Sequence, residues 1–590
     1  MARSTSKKSA RASSRSTRRS LTRQSHNNAT KLQHTPPAPY LCHADLELAL
    51  KKLARSNASH LKLSTIGHSH ENRTITLATL TNFKTGAPED KPAVWIDANI
   101  HATEVAGSVA ALTTIEQLLT KQNKPLLDNA TYYIVPRLNP DGAERALASS
   151  PEFLRSGTRP YPLDYKDDGL HVRDINDDGM ILQMRMEDPN GDWKISTKNK
   201  NLMEKRAPSD PLASPKQKYY RLMPEGEIHN YDGFLIKRAK PEAGLDFNRN
   251  YPFTWRPESE QLGAGPYPGS EPETRAMIDF IARHPNINIG ISFHTYSGVI
   301  LRPYNDRSDD SLEVNDLKVY KKIGDLGSEI TDYPNISVFH DFRYHPKDII
   351  SGVSDDWMFH HYGIFAYTVE IWDIIAQAGI PHPRKFIEWF QQHPHEHDVK
   401  IYNWAKKNAG PQAHHAWKKF DHPQLGEVEI GGWNSLYTFR NPPPKLMPKE
   451  AEKNARYMVE LGKLLPELSI AKLETEKLGD GETKITLGVQ NNGFLPTYTS
   501  EIGKQRQVKP VTAILTLPKG GSLISGEVRT NMGHLEGRSN KLDQSGFSVP
   551  FTPTDHRAKC EWVVRAKSGS KIHIRIESDR GGVVEAVVEI

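Results

Sequence analysis

Cysteine is nearly absent from this chain: Cys42 and Cys560 are the only two among its 590 residues. Two cysteines so far apart exclude a disulfide-rich scaffold, a thiolate zinc cluster and an iron–sulfur site. Long apolar runs are also lacking, since no stretch approaches the roughly 18 residues that a membrane-spanning helix needs. The sequence does contain 25 histidines, so we expect any metal site to use imidazole and carboxylate ligands.

Acidic residues are missing from the first 35 positions, which contain nine Lys or Arg and eight Ser. The whole chain carries a formal net charge of +6, so the basic excess belongs to this end. Because it has almost no apolar residues to bury, the segment 1–38 is predicted to be a disordered basic tail. A solvated tail is the favoured interpretation, while an organellar transit peptide and a nucleic-acid-binding arm stay open.

The pattern of apolar residues divides the remainder into two regions. Up to about residue 468, strand-like runs such as 92–100, 287–293 and 364–369 alternate with helical stretches. This alternation is typical of an α/β domain with a largely parallel or mixed sheet. From residue 469 onward, short alternating runs are separated by turn residues, and no helix is predicted between them. We therefore predict an α/β domain over 39–468 and a small all-β sandwich domain over 469–590.

Metal-ligand residue types follow three of the predicted strands of the α/β domain. His101 and Glu104 come directly after one strand, His294 follows another, and Glu370 ends a third. Because the carboxyl ends of strands line the ligand crevice of an open α/β sheet, we expect these side chains to meet at one edge. Two histidines and a glutamate form the ligand set of a catalytic zinc, and Glu370 is then placed to take a proton from water.

Five ordered motifs make the chain resemble the zinc carboxypeptidase family, of the carboxypeptidase A and B type. The resemblance covers roughly residues 44–392 and rests on HATE at 101–104, NPDG at 139–142, DFNRNYP at 246–252, SFHTYSG at 292–298, and SDDW with YTVEIWD at 354–373. It implies a mixed, mostly parallel sheet flanked by helices.

The resemblance also implies roles for individual residues. It implies that His101, Glu104 and His294 bind one zinc ion and that Glu370 is the general base. Asn248 and Arg249 would hold the free carboxylate of the substrate, Asp246 would orient a ligand histidine, and Arg155 would stabilise the oxyanion. Arg159 competes with Arg155 for that last role.

Two departures from the family pattern stand out. The position of the family's mobile tyrosine falls on Asp348, and Tyr344 is a nearby substitute. An insertion over about 163–243 contains a turn that begins like a calcium loop, with oxygen ligands at Asp174, Asn176 and Asp178. Position 12 of that loop is Arg185 instead of Glu, so ordinary turn chemistry is the competing interpretation.

Asp355, in the motif SDDW, suggests a substrate preference. In carboxypeptidase B-like enzymes an acid at this place attracts a C-terminal Lys or Arg, so the resemblance suggests basic C-terminal residues by charge complementarity. An equally supported interpretation is that Asp355 stabilises the start of a helix, where negative charge is favoured.

The sequence therefore predicts a zinc-dependent exopeptidase that acts on peptide or protein C-termini. A related amidase or deacylase, or a non-catalytic protein that binds peptide or nucleic acid on the same scaffold, is the alternative. No membrane partner is expected, and nucleic acid is expected only through the basic tail. Two unpaired cysteines favour the cytoplasm, with an organelle or export left open.

Overall fold

The structure is a computed structural model that describes residues 36–345, 347–381, 386–540 and 553–590. Nearly all of the predicted basic tail, 1–38, lies outside the described residues. Within the described ranges, no helix combines the length and the apolar character that crossing a membrane would require.

The described chain forms eleven α-helices and twenty-four strands, numbered in chain order. The helices are α1 (His43–Ser56), α2 (Ala106–Leu118), α3 (Pro140–Ala146), α4 (Pro272–Arg283), α5 (Val314–Thr331), α6 (Ser354–Tyr362), α7 (Ile374–Gln377), α8 (Phe386–Gln391), α9 (His395–Asn408), α10 (Met447–Gly462) and α11 (Glu501–Gln505).

The strands of the first half of the chain are β1 (Leu61–His68), β2 (Thr74–Leu80), β3 (Ala93–Ala98), β4 (Thr131–Val135), β5 (Gly169–Val172), β6 (Gln183–Glu187), β7 (Trp193–Ile195), β8 (Met203–Lys205), β9 (Tyr220–Pro224), β10 (Gly226–His229), β11 (Ile287–Thr295) and β12 (Val299–Arg302). Those of the second half are β13 (Asn335–Ser337), β14 (Phe365–Ile371), β15 (His414–His422), β16 (Gly426–Trp433), β17 (Leu468–Gly479), β18 (Glu482–Asn491), β19 (Val511–Thr516), β20 (Ser522–Ser525), β21 (Arg529–Gly533), β22 (Arg557–Arg565), β23 (Lys571–Ser578) and β24 (Gly582–Glu589).

An eight-stranded mixed sheet forms the centre of the α/β region, with strand order β1-β2-β4-β3-β11-β14-β12-β13. The central strands β4, β3, β11 and β14 run parallel to one another, and antiparallel pairs lie toward the edges. Every residue of β3 and β11 is buried, as expected for parallel strands that are covered on both faces. The predicted mixed, mostly parallel sheet flanked by helices is confirmed.

Helix α2 packs closely against the carboxyl ends of β3 and β11. A Cβ atom at Gly107 would come within 3.1 Å of Phe293 Cβ and 3.2 Å of Ala98 Cβ, so only glycine allows this approach without a shift of its neighbours. The close packing brings the turn before α2 to the end of β11, which is where the site residues lie.

The insertion at about 163–243 contributes strands to a second, six-stranded antiparallel sheet. Its order is β15-β16-β6-β9-β7-β8, so four strands of the insertion extend a hairpin that lies about 200 residues later in the chain. Strands β5 and β10 form a separate two-stranded ribbon. A small apolar core under these strands includes Met184, Ile228 and Ile430. The sequence pattern did not predict this sheet, because its strands are short and partly polar.

The C-terminal region forms two four-stranded antiparallel sheets within the described residues, ordered β17-β18-β22-β20 and β21-β19-β23-β24. Their inward side chains share one apolar core, with Trp562 and Ile574 among its members. The predicted all-β character is confirmed, but the expectation that no helix interrupts it was wrong at α11. The boundaries predicted for the domains, 39–468 and 469–590, stay predictions.

A buried carboxylate joins the C-terminal region to helix α5. Asp316, in the first turn of α5, accepts hydrogen bonds from the backbone nitrogens of Glu501 and Ile502 at 2.8 and 3.3 Å. The pKa of Asp316 is raised to about 7, chiefly by burial, with the nearby carboxylates of Glu501 and Glu313 adding to the rise and the two hydrogen bonds opposing it.

This buried acid predicts a pH-dependent contribution to stability. An unfolded aspartate titrates near pKa ~3.9, so between about pH 4 and about pH 7 the folded state binds more protons than the unfolded state. The free energy of unfolding should therefore fall as pH rises through this window. We expect wild type to lose more than about 1 kcal/mol between pH ~5 and pH ~8 beyond any loss in Asp316→Asn, measured by urea denaturation at each pH.

The exposed neighbour Asp310 offers a control, because Asp310→Asn should keep the wild-type pH dependence. An Asp316→Asn variant whose unfolding midpoint changes with pH as steeply as that of wild type would contradict the assignment.

Candidate metal and substrate site

The turn that follows β3 is held in place by buried amide side chains. Asn99 takes a left-handed backbone conformation (φ 59°), and its side chain donates to the carbonyl of His101 at 2.7 Å. Asn139, the first residue of the motif NPDG, donates to the carbonyl oxygens of Ile100 and Ser156 at 3.1 and 2.8 Å. NPDG therefore ties the turn that carries His101 to the loop that carries Arg155.

The two histidines and the glutamate predicted as metal ligands lie together at the end of the sheet. His101 Nδ1 is 2.9 Å from Glu104 Oε1, and His294 Nδ1 is 3.1 Å from both Glu104 Oε2 and His101 Nδ1. One potential ligand atom of each residue lies within 4.8 Å of those of the other two, and all three residues are buried. Among the described residues, this is the only group of three or more His, Cys, Asp or Glu with that spacing.

The outer nitrogen of each histidine has a hydrogen-bonding partner that sets its tautomer. A carboxylate faces each ring nitrogen of His101, with Nε2 3.0 Å from Asp246 Oδ1 and Nδ1 2.9 Å from Glu104 Oε1; the tautomer that metal binding through Nδ1 requires has its proton on Nε2, donated to Asp246. His294 Nε2 is 3.3 Å from Ser292 Oγ, whose own proton is donated to Asp97 Oδ1 at 2.7 Å. Both Nδ1 atoms therefore present lone pairs toward Glu104.

These lone pairs provide the test of whether the site fits zinc. Two unprotonated nitrogens and a carboxylate that face one another at about 3 Å repel unless a cation lies between them. A His₂Glu set in buried surroundings is also the donor set that catalytic zinc uses. The residues present therefore fit a zinc ion.

Glu370 lies on the strand next to His294. The two residues are register partners of the parallel pair β11 and β14. The Glu370 side chain is partly buried, and its Oε2 atom is inaccessible to solvent and has no hydrogen-bond partner among the described residues. Burial raises the pKa of Glu370 well above its ordinary value, and the negative charge of Glu104 adds to this. A carboxylate in such a setting has a raised affinity for a proton.

Asn248 and Arg249 lie in a short 3₁₀ turn, and the side chain of Asp246 caps the start of that turn. Asp246 Oδ1 accepts from the Asn248 backbone nitrogen at 2.9 Å as well as facing His101. Asn248 Oδ1 accepts from the Ser354 backbone nitrogen at 2.9 Å. The NH₂ group of Asn248 has no hydrogen-bond partner in the described chain. Arg249 uses one nitrogen, Nη1, to bond the carbonyl of Asn248 at 2.6 Å. Both side chains thus keep donors available beside the metal ligands.

The structure separates the two arginines that competed for the oxyanion role. Arg155 Nε donates to Asp246 Oδ2 at 2.8 Å, and its Nη1 lies 3.3 Å from Glu104 Oε1. Although burial favours the neutral form, these two carboxylates raise the pKa of Arg155 above its ordinary value. Arg159 instead pairs with Glu271 at 2.6 Å. Only Arg155 of the pair lies in the cluster.

The tyrosine position of the family pattern is filled differently here. Asp348 is exposed, and its backbone nitrogen bonds the carbonyl of His345. Tyr344 is 54% exposed, yet the charges of Arg155 and Glu370 act on its hydroxyl group. The pKa of Tyr344 is raised, chiefly by burial of the hydroxyl, against the opposing effect of Arg155. The charges of the site therefore act on Tyr344, the residue that the sequence offered as a substitute for Asp348.

Asp355 lies in the first turn of α6 and is 1% exposed. It accepts from the side chain of Asn305 at 3.2 Å, and the same amide nitrogen bonds Asp356 at 2.9 Å. Burial raises the pKa of Asp355, while the positive charge of Arg249 lowers it. Both interpretations made from the sequence stay open, because the residue is at a helix start and also close to Arg249.

The calcium interpretation of the insertion gains no support. Asp174 Oδ2, Asn176 Oδ1 and Asp178 Oδ1 accept backbone hydrogen bonds from Gly179, Asp178 and Met180 at 2.8–3.0 Å. These bonds are ordinary turn chemistry. In the part of the chain that is described, the loop also contributes to no group of three converging acidic or imidazole ligands.

Two residues that contact the site were missed from the sequence. Ser292 could have been found, because it lies two positions before His294 on one strand and so shares its face. Asn305 gave no signal, since it lies 50 residues from Asp355 in the chain. Contacts of that kind depend on the packing of distant segments.

Comparisons with known proteins agree with this architecture. A family model described as zinc carboxypeptidase matches residues 46–393, and one described as a domain of unknown function matches residues 467–589. Carboxypeptidase B of Astacus astacus is 24% identical over 344 residues, which cover 57% of this chain and 86% of that protein. A zinc carboxypeptidase of Simulium vittatum is 25% identical over 340 residues, which cover 55% and 82%.

Solved structures give more distant likenesses. The crystal structure of thrombin activatable fibrinolysis inhibitor aligns at 17% identity with a TM-score of 0.40, covering 72% of this chain and 73% of that one. Carboxypeptidase A from Helicoverpa armigera aligns at 18% identity with a TM-score of 0.38, covering 62% and 74%.

Asp246 offers a test of the ligand arrangement that leaves the ligands themselves intact. Asp246→Asn removes the charge that fixes His101, so we expect zinc affinity to fall about 10–100-fold, with wild type holding one zinc ion per chain. The measurement is competitive titration against a zinc chelator, with His294→Ala as the reference for full loss. Asp421→Asn, an exposed change on β15, should leave the affinity unchanged; equal affinities for Asp246→Asn and wild type would rule out this role.

Proposed function

Because the chain belongs to the zinc carboxypeptidase family, we propose that it is a metallocarboxypeptidase that hydrolyses the last peptide bond of its substrates. The observation that carries the proposal is one juxtaposition. The His101, Glu104 and His294 cluster lies beside Glu370 on one side and beside Asn248 and Arg249 on the other. Such a site combines a place for a metal, a proton acceptor and an anchor for a free carboxylate.

Zinc bound by His101, Glu104 and His294 would polarise the scissile carbonyl and lower the pKa of water. Glu370 is then the group that receives the proton as water attacks, because its Oε2 is buried and has no hydrogen-bond partner in the described chain. After the carbon–nitrogen bond breaks, the same carboxyl group passes the proton to the leaving amine. Its raised proton affinity suits both steps.

Asn248 and Arg249 are proposed to bind the substrate's terminal carboxylate. Arg249 supplies a planar fork that matches a carboxylate, and Asn248 adds a neutral donor. Their fixed distance from the metal ligands, set through Asp246, places the last peptide bond at the cluster. This arrangement selects a free C-terminus over an internal peptide bond.

Arg155 is proposed to stabilise the charge that develops on the carbonyl oxygen. It remains cationic because Asp246 and Glu104 raise its pKa, and its contact with Glu104 keeps it next to the cluster. Tyr344 is proposed to cover the bound end of the substrate in place of a tyrosine at position 348, because its hydroxyl group lies among the charges of Arg155, Arg249 and Glu370.

Asp355 is proposed to favour substrates that end in Lys or Arg. Asp355 and Asp356 are adjacent buried carboxylates, and within the described residues their side-chain partner is the neutral amide of Asn305, with Thr368 at the limit of hydrogen-bond distance. Arg249 is the cation whose charge acts on Asp355, so two adjacent buried carboxylates share one positive charge and their negative charge is incompletely balanced. A basic side chain of the substrate would supply the missing positive charge.

The assigned role of Glu370 predicts a selective loss of activity. Glu370→Gln keeps the size of the side chain but cannot accept the proton, so kcat should fall about 10²–10⁴-fold while zinc content stays at one ion per chain. Zinc analysis and peptide digestion monitored by mass spectrometry provide both readings. Glu452→Gln, an exposed change on α10, is the matched control, and normal turnover by Glu370→Gln would reject Glu370 as the base.

The assigned role of Asp355 predicts a change in preference between substrates. For peptides that differ only in their last residue, Asp355→Asn should lower kcat/KM for Lys and Arg ends by about tenfold or more, since one opposite charge is lost. The kcat/KM value for a peptide that ends in Leu should change little. The decisive measurement is therefore the ratio of kcat/KM for basic ends to kcat/KM for the Leu end. A wild-type enzyme that prefers Phe or Leu over Lys would refute this assignment.

A further inference from the structure

A large cavity opens beside the metal cluster, between the α/β core and the insertion. Its volume is about 1020 Å³, at the upper end of the range for small-molecule sites, about 300–1,000 Å³. One wall comes from the loop around Arg155, and the facing wall comes from the insertion, at β5, β9 and residues 236–243. We call this space the insertion chamber.

The insertion chamber is continuous with the proposed active site. Thr103, which lies between the ligands His101 and Glu104, lines it together with Arg155. Arg440 also lines it, lies 3.4 Å from Thr103 Oγ1 and is placed over the ring of Phe153. A substrate whose last peptide bond is at the cluster therefore has this chamber available for its preceding residues.

The charged side chains that line the chamber are mostly positive. Seven are cations and three are acids; the cations are Arg145, Arg155, Arg221, Lys237, Arg238, Lys240 and Arg440, and the acids are Glu152, Asp192 and Glu242. A cavity lined by one sign of charge raises the local concentration of ligands of the opposite sign.

Several of these cations have no acid paired with them. Arg145 and Arg155 are already engaged, with Glu71 and Glu152 in one case and Asp246 and Glu104 in the other. Lys237, Arg238 and Lys240 form no ion pair within 4.0 Å to any described residue, and all three are exposed. Their charge is therefore available to a ligand.

Apolar side chains complete the lining, including Phe153, Leu170, Trp193 and Met223. A surface that combines apolar area with unpaired cations suits a peptide and not a bare inorganic anion, because the peptide can bury side-chain area as well as neutralise charge. These features favour a stretch of polypeptide as the ligand of the chamber.

We propose that the insertion chamber binds acidic residues, Asp or Glu, that precede the scissile bond of the substrate. The proposal rests on the function proposed above and adds a substrate class to it: peptides with an acidic segment just before the C-terminal residue. The insertion then acts as a specificity element that the α/β core does not itself contain.

The test compares two peptides that end in the same residue and carry either Glu or Gln at the three preceding positions. Wild type should hydrolyse the Glu peptide with a kcat/KM about tenfold or more above that of the Gln peptide at low salt, and the ratio should shrink as salt screens the charges. In Lys237→Gln/Arg238→Gln/Lys240→Gln the ratio should approach one, with the value for the Gln peptide unchanged.

A matched control removes three other charges from the same insertion. Lys166, Lys200 and Lys216 are exposed and lie outside the lining of the chamber, so their triple change to Gln alters the net charge equally and should keep the preference. If both triple variants lost the preference for the Glu peptide equally, the preference would come from the overall charge of the protein, and the proposal would be overturned. Equal turnover of the two peptides by wild type would overturn it as well.

Direct binding separates this proposal from the proposed function. Fluorescently labelled Glu and Gln peptides are titrated into Glu370→Gln protein and followed by anisotropy. Tighter binding of the Glu peptide that is lost in the chamber triple supports the chamber even if no peptide is hydrolysed, in which case the proposed function alone fails. Equal binding of the two peptides removes the chamber whatever the activity.

Discussion

Two imidazole nitrogens and a carboxylate facing one another at about 3 Å are the arrangement around which the rest of the site is organised. Without a cation this contact is repulsive, so the protein has to hold it in place. The parallel register of β3, β11 and β14 holds these groups together, because the three strands end side by side. The hydrogen bonds that the two Nε2 atoms donate to Asp246 and Ser292 do so as well, because they turn both Nδ1 lone pairs toward Glu104.

Asp246 connects the parts of the site more than any ligand does. One of its oxygens faces His101 and the Asn248 backbone, and the other accepts from Arg155. The proposed metal position, carboxylate anchor and oxyanion group are thereby set relative to one carboxylate. The spacing between Asn248 and the metal cluster therefore depends on the side chain of Asp246.

The insertion adds strands around the α/β core without interrupting the central sheet. Its strands join β15 and β16 in a second sheet, so they are held as part of the fold and form a wall of the insertion chamber. In the function proposed here the strand ends carry the chemistry of bond cleavage, while the insertion supplies charge and apolar area to the wall of the chamber. The C-terminal sandwich contacts the α/β region at α5 and at Asn288 on β11. These contacts are buried and polar, such as those of Asp316.

The sequence alone predicted the mixed α/β sheet with flanking helices and the all-β character of the C-terminal region, because both follow from local apolar periodicity. It also indicated which residues lie at the strand ends, since His101, Glu104, His294 and Glu370 each follow a recognisable run. It could not choose between Arg155 and Arg159, find Asn305 beside Asp355, or show that Tyr344 lies near the site charges.

Only the tertiary structure decided those points, together with the pairing of the insertion with β15 and β16. The physical reason is the same in each case. These contacts join segments that are far apart in the chain, and their geometry is set by packing and charge balance in three dimensions, which leave no periodic trace in the residues themselves.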